Sequence, residues 1–302
     1  MTTPRHRRRQ PRPVTTIAYR AHPMSTPRVA VCVPVYRNAA HLALTLESVL
    51  AQTFQDWELV AVDDHSDDGS FEIAQSFAAR DPRITVHRNE ANLGPAANWT
   101  RSVELTSAPL VKLLCGDDLL EPTCLERQVA VFDADTEHRI GVVGNRRNIV
   151  DNTGAVVKRD HGLGGLPKGA TRITRHDLAV ALLRSGTNPL GEPSITMMRR
   201  EAWATAGGFP PEWKYVIDVA TNFSIAATYD IAVLHETLGS FRVSTTAWSG
   251  ALKKSQASES RRFFRHVADT ERLGRVLRAR GAVMAQARQV GRTLVIASRR
   301  AG

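Results

Sequence analysis

Cysteine is scarce: Cys32, Cys115 and Cys124 are the three in 302 residues. All lie in or beside apolar runs, which leaves no disulfide framework and no zinc-ligand spacing. Long apolar runs are missing too. No stretch approaches the roughly 20 residues of a bilayer-spanning helix, and Arg7-Arg8-Arg9 is not followed by a signal-peptide core. Neither a dinucleotide-binding glycine fingerprint nor a P-loop occurs, which excludes the two common glycine-rich phosphate motifs. Acid is absent from residues 1–28, which carry seven arginines. Residues 253–302 hold thirteen Lys or Arg against Glu259, Asp269 and Glu271, a net of +10; with +10 overall, residues 29–252 are left at −7. An enzyme of nucleic acid would gather its basic surface around the cleft, so no nucleic-acid partner is expected. Basic ends on an acidic centre suit a loose hold on anionic lipid, with plain solvated tails as the alternative. The expected location is the cytoplasm, at the inner face of the plasma membrane.

What is present is an alternation. Apolar content of 42% is enough for a substantial core. Apolar strand-like runs at 29–35, 57–63, 83–88 and 109–115 alternate with amphipathic segments at 39–52, 69–80, 94–107 and 122–134. That order predicts an α/β fold with a mostly parallel sheet covered by helices on both faces. Ile140-Gly-Val-Val143 adds a strand, Asn152-Thr-Gly154 a turn, and the glycines of 161–170 a loop. From about 258 the pattern is helical and basic, with an apolar stripe through Phe263, Phe264, Leu273, Val276 and Leu277 that we expect to pack on the domain. The expected organisation is a basic, disordered extension over 1–27, a single catalytic domain over 28–252 divided at 120/121, and a basic helical tail over 253–302.

Polar residues collect at the ends of three strands, where ligands of open α/β sheets bind. The first strand ends in Pro34, Tyr36 and Asn38, and the Tyr36 ring can lie against a nucleobase. The second ends in Asp63-Asp64-His65-Ser66-Asp67-Asp68; Asp64 can accept a pyrimidine imide N–H, and Ser66 or Asp68 can cap the next helix. Position twelve counted from Asp64 is Gln75, which rules out an EF-hand. The fourth ends in Gly116-Asp117-Asp118, adjacent hard oxygen ligands suited to Mg²⁺ or Mn²⁺ beside a diphosphate. Asn92-Leu93-Gly94 opens a helix whose N-terminus would favour such an anion.

In order and spacing, Val31-Cys-Val-Pro-Val-Tyr-Arg-Asn38, Leu46 to Phe54, Trp57 to Asp64, Asn92-Leu-Gly94 and Gly116-Asp-Asp118 with Pro122 resemble the family 2 glycosyltransferases of GT-A fold. The resemblance covers 29 to about 250. It implies that Pro34 and Tyr36 hold the donor's base, that Asp64 bonds its imide edge, and that Asp117 lies near the ribose or sugar. It also implies that Asp118 is the direct ligand of Mn²⁺ or Mg²⁺, with Asp117 beside it, and that Arg242 approaches the diphosphate. Gly191-Glu192-Pro193-Ser194, Gly207-Gly208-Phe209 and Ala247-Trp248-Ser249 look like further family features. After Gly-Gly-Phe the family places an acidic base, commonly in a Glu-Asp pair; here Ile217 precedes a single acid, Asp218, leaving Glu192 as the runner-up. The implied activity is metal-dependent, inverting transfer of one sugar from a nucleotide-diphospho-sugar to a glycan or lipid-linked acceptor, in cell-envelope synthesis. Two alternatives stay open: a nucleotide-sugar-binding protein without catalysis, and an interaction protein acting through its basic ends.

Overall fold

The computed structural model describes residues 26–243 and 256–298, with the backbone alone described for 287–298. Each strand read from the sequence is present. β1 (Val29–Val35), β2 (Trp57–Asp63), β3 (Ile84–Arg88) and β4 (Leu110–Leu113) are separated by α1 (Leu42–Leu50), α2 (Ser70–Ala78) and α3 (Pro95–Glu104). α1 starts three residues later than its periodicity suggests, because Ala39 donates its N–H to Asp68 instead of entering the helix. β4 is shorter than its apolar run, since the chain turns away after Leu113 to form the acidic turn.

The second half continues with β5 (Leu119–Leu120), α4 (Cys124–Ala134), β6 (Ile140–Val150), β7 (Val156–His161), β8 (Arg172–Ile173) and α5 (Arg175–Ser185). It closes with β9 (Met197–Arg199), α6 (Arg200–Thr205), α7 (Ile217–Ile225), β10 (Asp230–Arg242), α8 (Gln256–Thr270) and α9 (Arg275–Ser298). The sheet order is β3-β2-β1-β4-β9-β6-β10-β5, with β7 on β6 and β8 on β10. β1 to β4 run parallel to one another, as do β6 and β10; β9 lies antiparallel between the two groups.

Burial on both faces explains why the parallel strands read as continuous apolar runs. Val29, Val31, Val33 and Val35 of β1 meet α1, α2 and α4 on one face, while Ala30 and Cys32 point into the layer of α3, α5, α6, α7 and α8. α8 is part of that second core: Phe263, Phe264 and Val267 are buried, and Phe263 meets Trp213 edge to face. Its apolar stripe therefore packs on the domain, as the sequence suggests. Val276 departs from that stripe and faces outward. The Ala247–Ser249 segment and nearly all of the basic extension lie outside the described residues.

Candidate active site

The carboxyl ends of β1, β2 and β4 converge through hydrogen bonds among their own loops. Arg37, held at φ 54°, donates its backbone N–H to Ser66 and forms a two-pronged ion pair with Asp67. Asn38 takes the N–H of Tyr36 on its Oδ1 and rests against Gly116, where any Cβ would come within 2.8 Å of that oxygen. A side chain at position 116 would therefore displace that of Asn38. Tyr36 is partly buried, with the Arg37 guanidinium 5.4 Å from its ring centroid, and Pro34 is buried. The N-cap of α2 is Gly69 and not Ser66 or Asp68; Asp68, one residue earlier, accepts the Ser70 N–H.

Asp64 differs from its expected role in one respect. Its Oδ1 accepts from Asn89 Nδ2 at 2.7 Å and Leu93 N–H at 2.8 Å, and its Oδ2 accepts from Gly94 N–H at 2.9 Å. The carboxylate is therefore the staple that folds the Asn92-Leu93-Gly94 loop onto β2. Those two amides, which precede the first turn of α3, are engaged by Asp64.

Asp117 and Asp118 form the turn between β4 and β5. Asp118 is 0% exposed; its Oδ2 accepts from Ser194 Oγ at 2.5 Å and its Oδ1 from Arg242 N–H at 3.0 Å. Asp117 is the more open of the two. Burial pushes both carboxyls above their usual range, and Asp117 raises Asp118 further. An ionised pair in such a place calls for a cation, and two hard-oxygen groups suit Mg²⁺ or Mn²⁺. Among the described residues no group of three or more His, Cys, Asp or Glu is arranged to hold a metal ion. An ion here would complete its shell from substrate oxygens and water. Arg242, at the end of β10, directs its guanidinium to backbone carbonyls of Asp117, Asp151 and Asn152, so it clamps the acidic turn from behind.

On the other side of the turn lies the segment 188–194. Asn188 Nδ2 donates to Asp218 Oδ2 at 2.9 Å, Glu192 is ion-paired with the buried Arg147, and Ser194 Oγ reaches Asp118 while accepting the Cys115 N–H. Arg147 is enclosed by Gly162 and Gly191; at Gly191, with φ 92°, a Cβ would fall 2.6 Å from the guanidinium. One short loop thus reaches Asp118 and the expected base Asp218, and itself carries the runner-up Glu192. Asp218 occupies the first turn of α7, and its carboxyl is pushed up to about 6, chiefly by burial and further by Glu192. Burial and the surrounding acids push the Cys115 thiol up, so it remains protonated.

Of the residues singled out in the sequence, Tyr36, Asp64, Asp117 and Asp118 lie just past the carboxyl ends of β1, β2 and β4, Glu192 in the 188–194 segment, Asp218 in the first turn of α7 and Arg242 at the end of β10. Sequence reasoning missed Asn188 and Arg147, polar residues with no motif, and the buried Lys112. That side chain is 0% exposed in the middle of β4 and donates to Gln128, which donates in turn to Asn145 and to Ile195 O beside Ser194. A charged residue inside an otherwise apolar strand was the available signal.

The architecture has known counterparts. The chain aligns with TarS of S. aureus, solved with UDP-GlcNAc, at TM-score 0.64 and 18% identity over 85% of this chain and 71% of TarS. It aligns with the mannosyltransferase PcManGT of Pyrobaculum calidifontis, solved with GDP-Man and Mn²⁺, at TM-score 0.59 and 19% identity over 91% and 76% of the two chains. In sequence, EpsE of Bacillus subtilis, itself assigned to the glycosyltransferases, is 32% identical over 186 residues. That match covers 61% of this chain and 61% of EpsE, and a Mycobacterium tuberculosis relative is likewise matched over 60% of its length. The family model "Glycosyl transferase family 2" matches residues 30–205, more than half of the chain, and with its GT-A fold the protein belongs to that family.

Proposed function

We propose that this protein is a metal-dependent, inverting glycosyltransferase that moves one sugar from a nucleotide-diphospho-sugar to an acceptor hydroxyl. The observation that carries the reading is the pairing of two different acidic environments across the 188–194 loop. Asp218 has a carboxyl raised to about 6 and positioned by Asn188, which suits a general base working near neutrality. Glu192, held in its ion pair with Arg147, is the weaker candidate. The acceptor oxygen attacks the anomeric carbon, its proton passes to Asp218, and the bond to the diphosphate breaks with its electron pair leaving on the phosphate oxygen.

Asp117 and Asp118 would hold a Mn²⁺ or Mg²⁺ ion, whose charge favours the departing diphosphate. Tyr36 offers a ring face to the base and Asp64 one remaining lone pair on Oδ2 to an imide. The nucleotide sugars bound to TarS and PcManGT support the donor class, and the Mn²⁺ of PcManGT supports the ion. The same raised base weighs against a donor-binding protein without catalysis.

A thermal-shift panel of UDP-, dTDP- and GDP-sugars, with and without Mn²⁺, tests the donor site. One nucleotide class should stabilise the protein in a metal-dependent way, by about 2.7 kcal/mol at 100 times its dissociation constant. Asp118→Ala should abolish that shift. No shift with any donor, in folded protein, sinks the proposal.

A further inference from the structure

α9 turns an apolar line away from the protein. Its Gly281 and Ala285 face inward, Gly281 packing on Leu183 of α5. Val276 and Val283 point the other way, 86% and 65% exposed, the two most exposed of the large hydrophobic side chains among the described residues. Seven residues apart, they share one helical line, with the exposed Ala279 and Arg280 between them. The sequence repeats the interval with Val290 and Ala297.

Charge surrounds this line. Arg275 and Arg280 are exposed on the same helix, and from Arg272 to Gly302 the sequence has eight arginines and no Asp or Glu. An exposed apolar line with cationic flanks is the pattern of a helix lying in a bilayer interface. None of the described helices is long and apolar enough to cross a membrane. A second copy is a poor occupant of this face, because it would bring two strongly cationic helices together even with Arg278 paired to Asp269. Nucleic acid would use the arginines and leave the valines in water.

We propose that α9 seats this protein on an anionic lipid bilayer, with Val276 and Val283 at the acyl boundary and the arginines among the headgroup phosphates. The seat is joined to the site by α8: Glu259 accepts the backbone N–H groups of Lys214, Tyr215 and Val216 at 2.9, 2.6 and 3.1 Å, at the entry to the helix that carries Asp218. The inference concerns residues outside the proposed donor site and stands independently of it.

The test is sedimentation of the full chain with vesicles of phosphatidylcholine alone or with one quarter phosphatidylglycerol, at low and high salt. Binding should require phosphatidylglycerol and weaken with salt. The paired change Val276→Asp and Val283→Asp should lower partitioning by about tenfold or more, while the melting temperature and any donor-induced thermal shift stay unchanged. Equal partitioning onto neutral vesicles, no binding to anionic ones, or full binding by the double variant would overturn the proposal. So would a concentration-dependent dimer that the double variant dissolves, which would assign the face to self-association.

Discussion

At the scale of single residues, two effects compete on Asp218. Its place in the first turn of α7 favours a carboxylate through the helix dipole, and the Val219 N–H and Asn188 amide favour it further. Burial among other acids opposes these and wins, leaving the group at about 6. As a base it must be ionised, so kcat/KM measured with saturating donor and metal should fall about tenfold per pH unit below about 6 and level off above. Asp218→Asn should lose roughly 10²–10⁴-fold in turnover while keeping the donor-induced thermal shift. A profile that leaves that limb in place in the variant would remove Asp218 from the role. The sequence made the acids legible, because carboxylates at strand ends form motifs. It could not make Asn188 or Arg147 legible: each matters through what it touches, and those contacts join residues 30 and 45 positions apart.

At the scale of elements, periodicity located β1 to β4 and α1 to α4 but not the short β5, and it gave no hint of what ties the elements beneath the site. Lys112 in β4, Gln128 in α4 and Asn145 in β6 form one buried polar chain, and Gln128 also holds Ile195 O next to the Ser194 that reaches Asp118. Gln128 is the centre of that chain. Gln128→Leu would strand a buried ammonium and two acceptors, so urea unfolding should show a loss of about 3 kcal/mol or more. Adding Lys112→Met removes the stranded charge, and the double variant should regain most of that loss. Additive losses would mean that the two side chains do not depend on each other.

At the scale of the whole molecule, Asp64, Asp117, Asp118, Glu192 and Asp218 gather around the carboxyl ends of the strands, while Arg261, Arg262 and Arg265 of α8 and Arg275, Arg278 and Arg280 of α9 are exposed. The acid cluster gives the protein an unusual response to pH. Asp117, Asp118 and Asp218 hold protons more tightly when folded than when unfolded. Stability from such groups is fully present below the unfolded pKa and is lost as pH rises through the folded one, so Asp218 alone acts between about 3.8 and about 6. His41 and His87, lowered by burial, act in the opposite sense, losing stability as pH falls through and below 6.5. Because one melting curve mixes these, the informative quantity is a difference. On going from about pH 7.5 to about pH 5, wild type should gain stability relative to Asp218→Asn by on the order of 1–3 kcal/mol, a shift of a few degrees in Tm. A donor with Mn²⁺, bound against Asp117 and Asp118, should add most stability at the alkaline end, where those carboxylates are ionised. Parallel curves for wild type and variant, unchanged by donor and metal, would mean that the clustered acids do not titrate as a strained group and that the sheet edge is not built to hold charge.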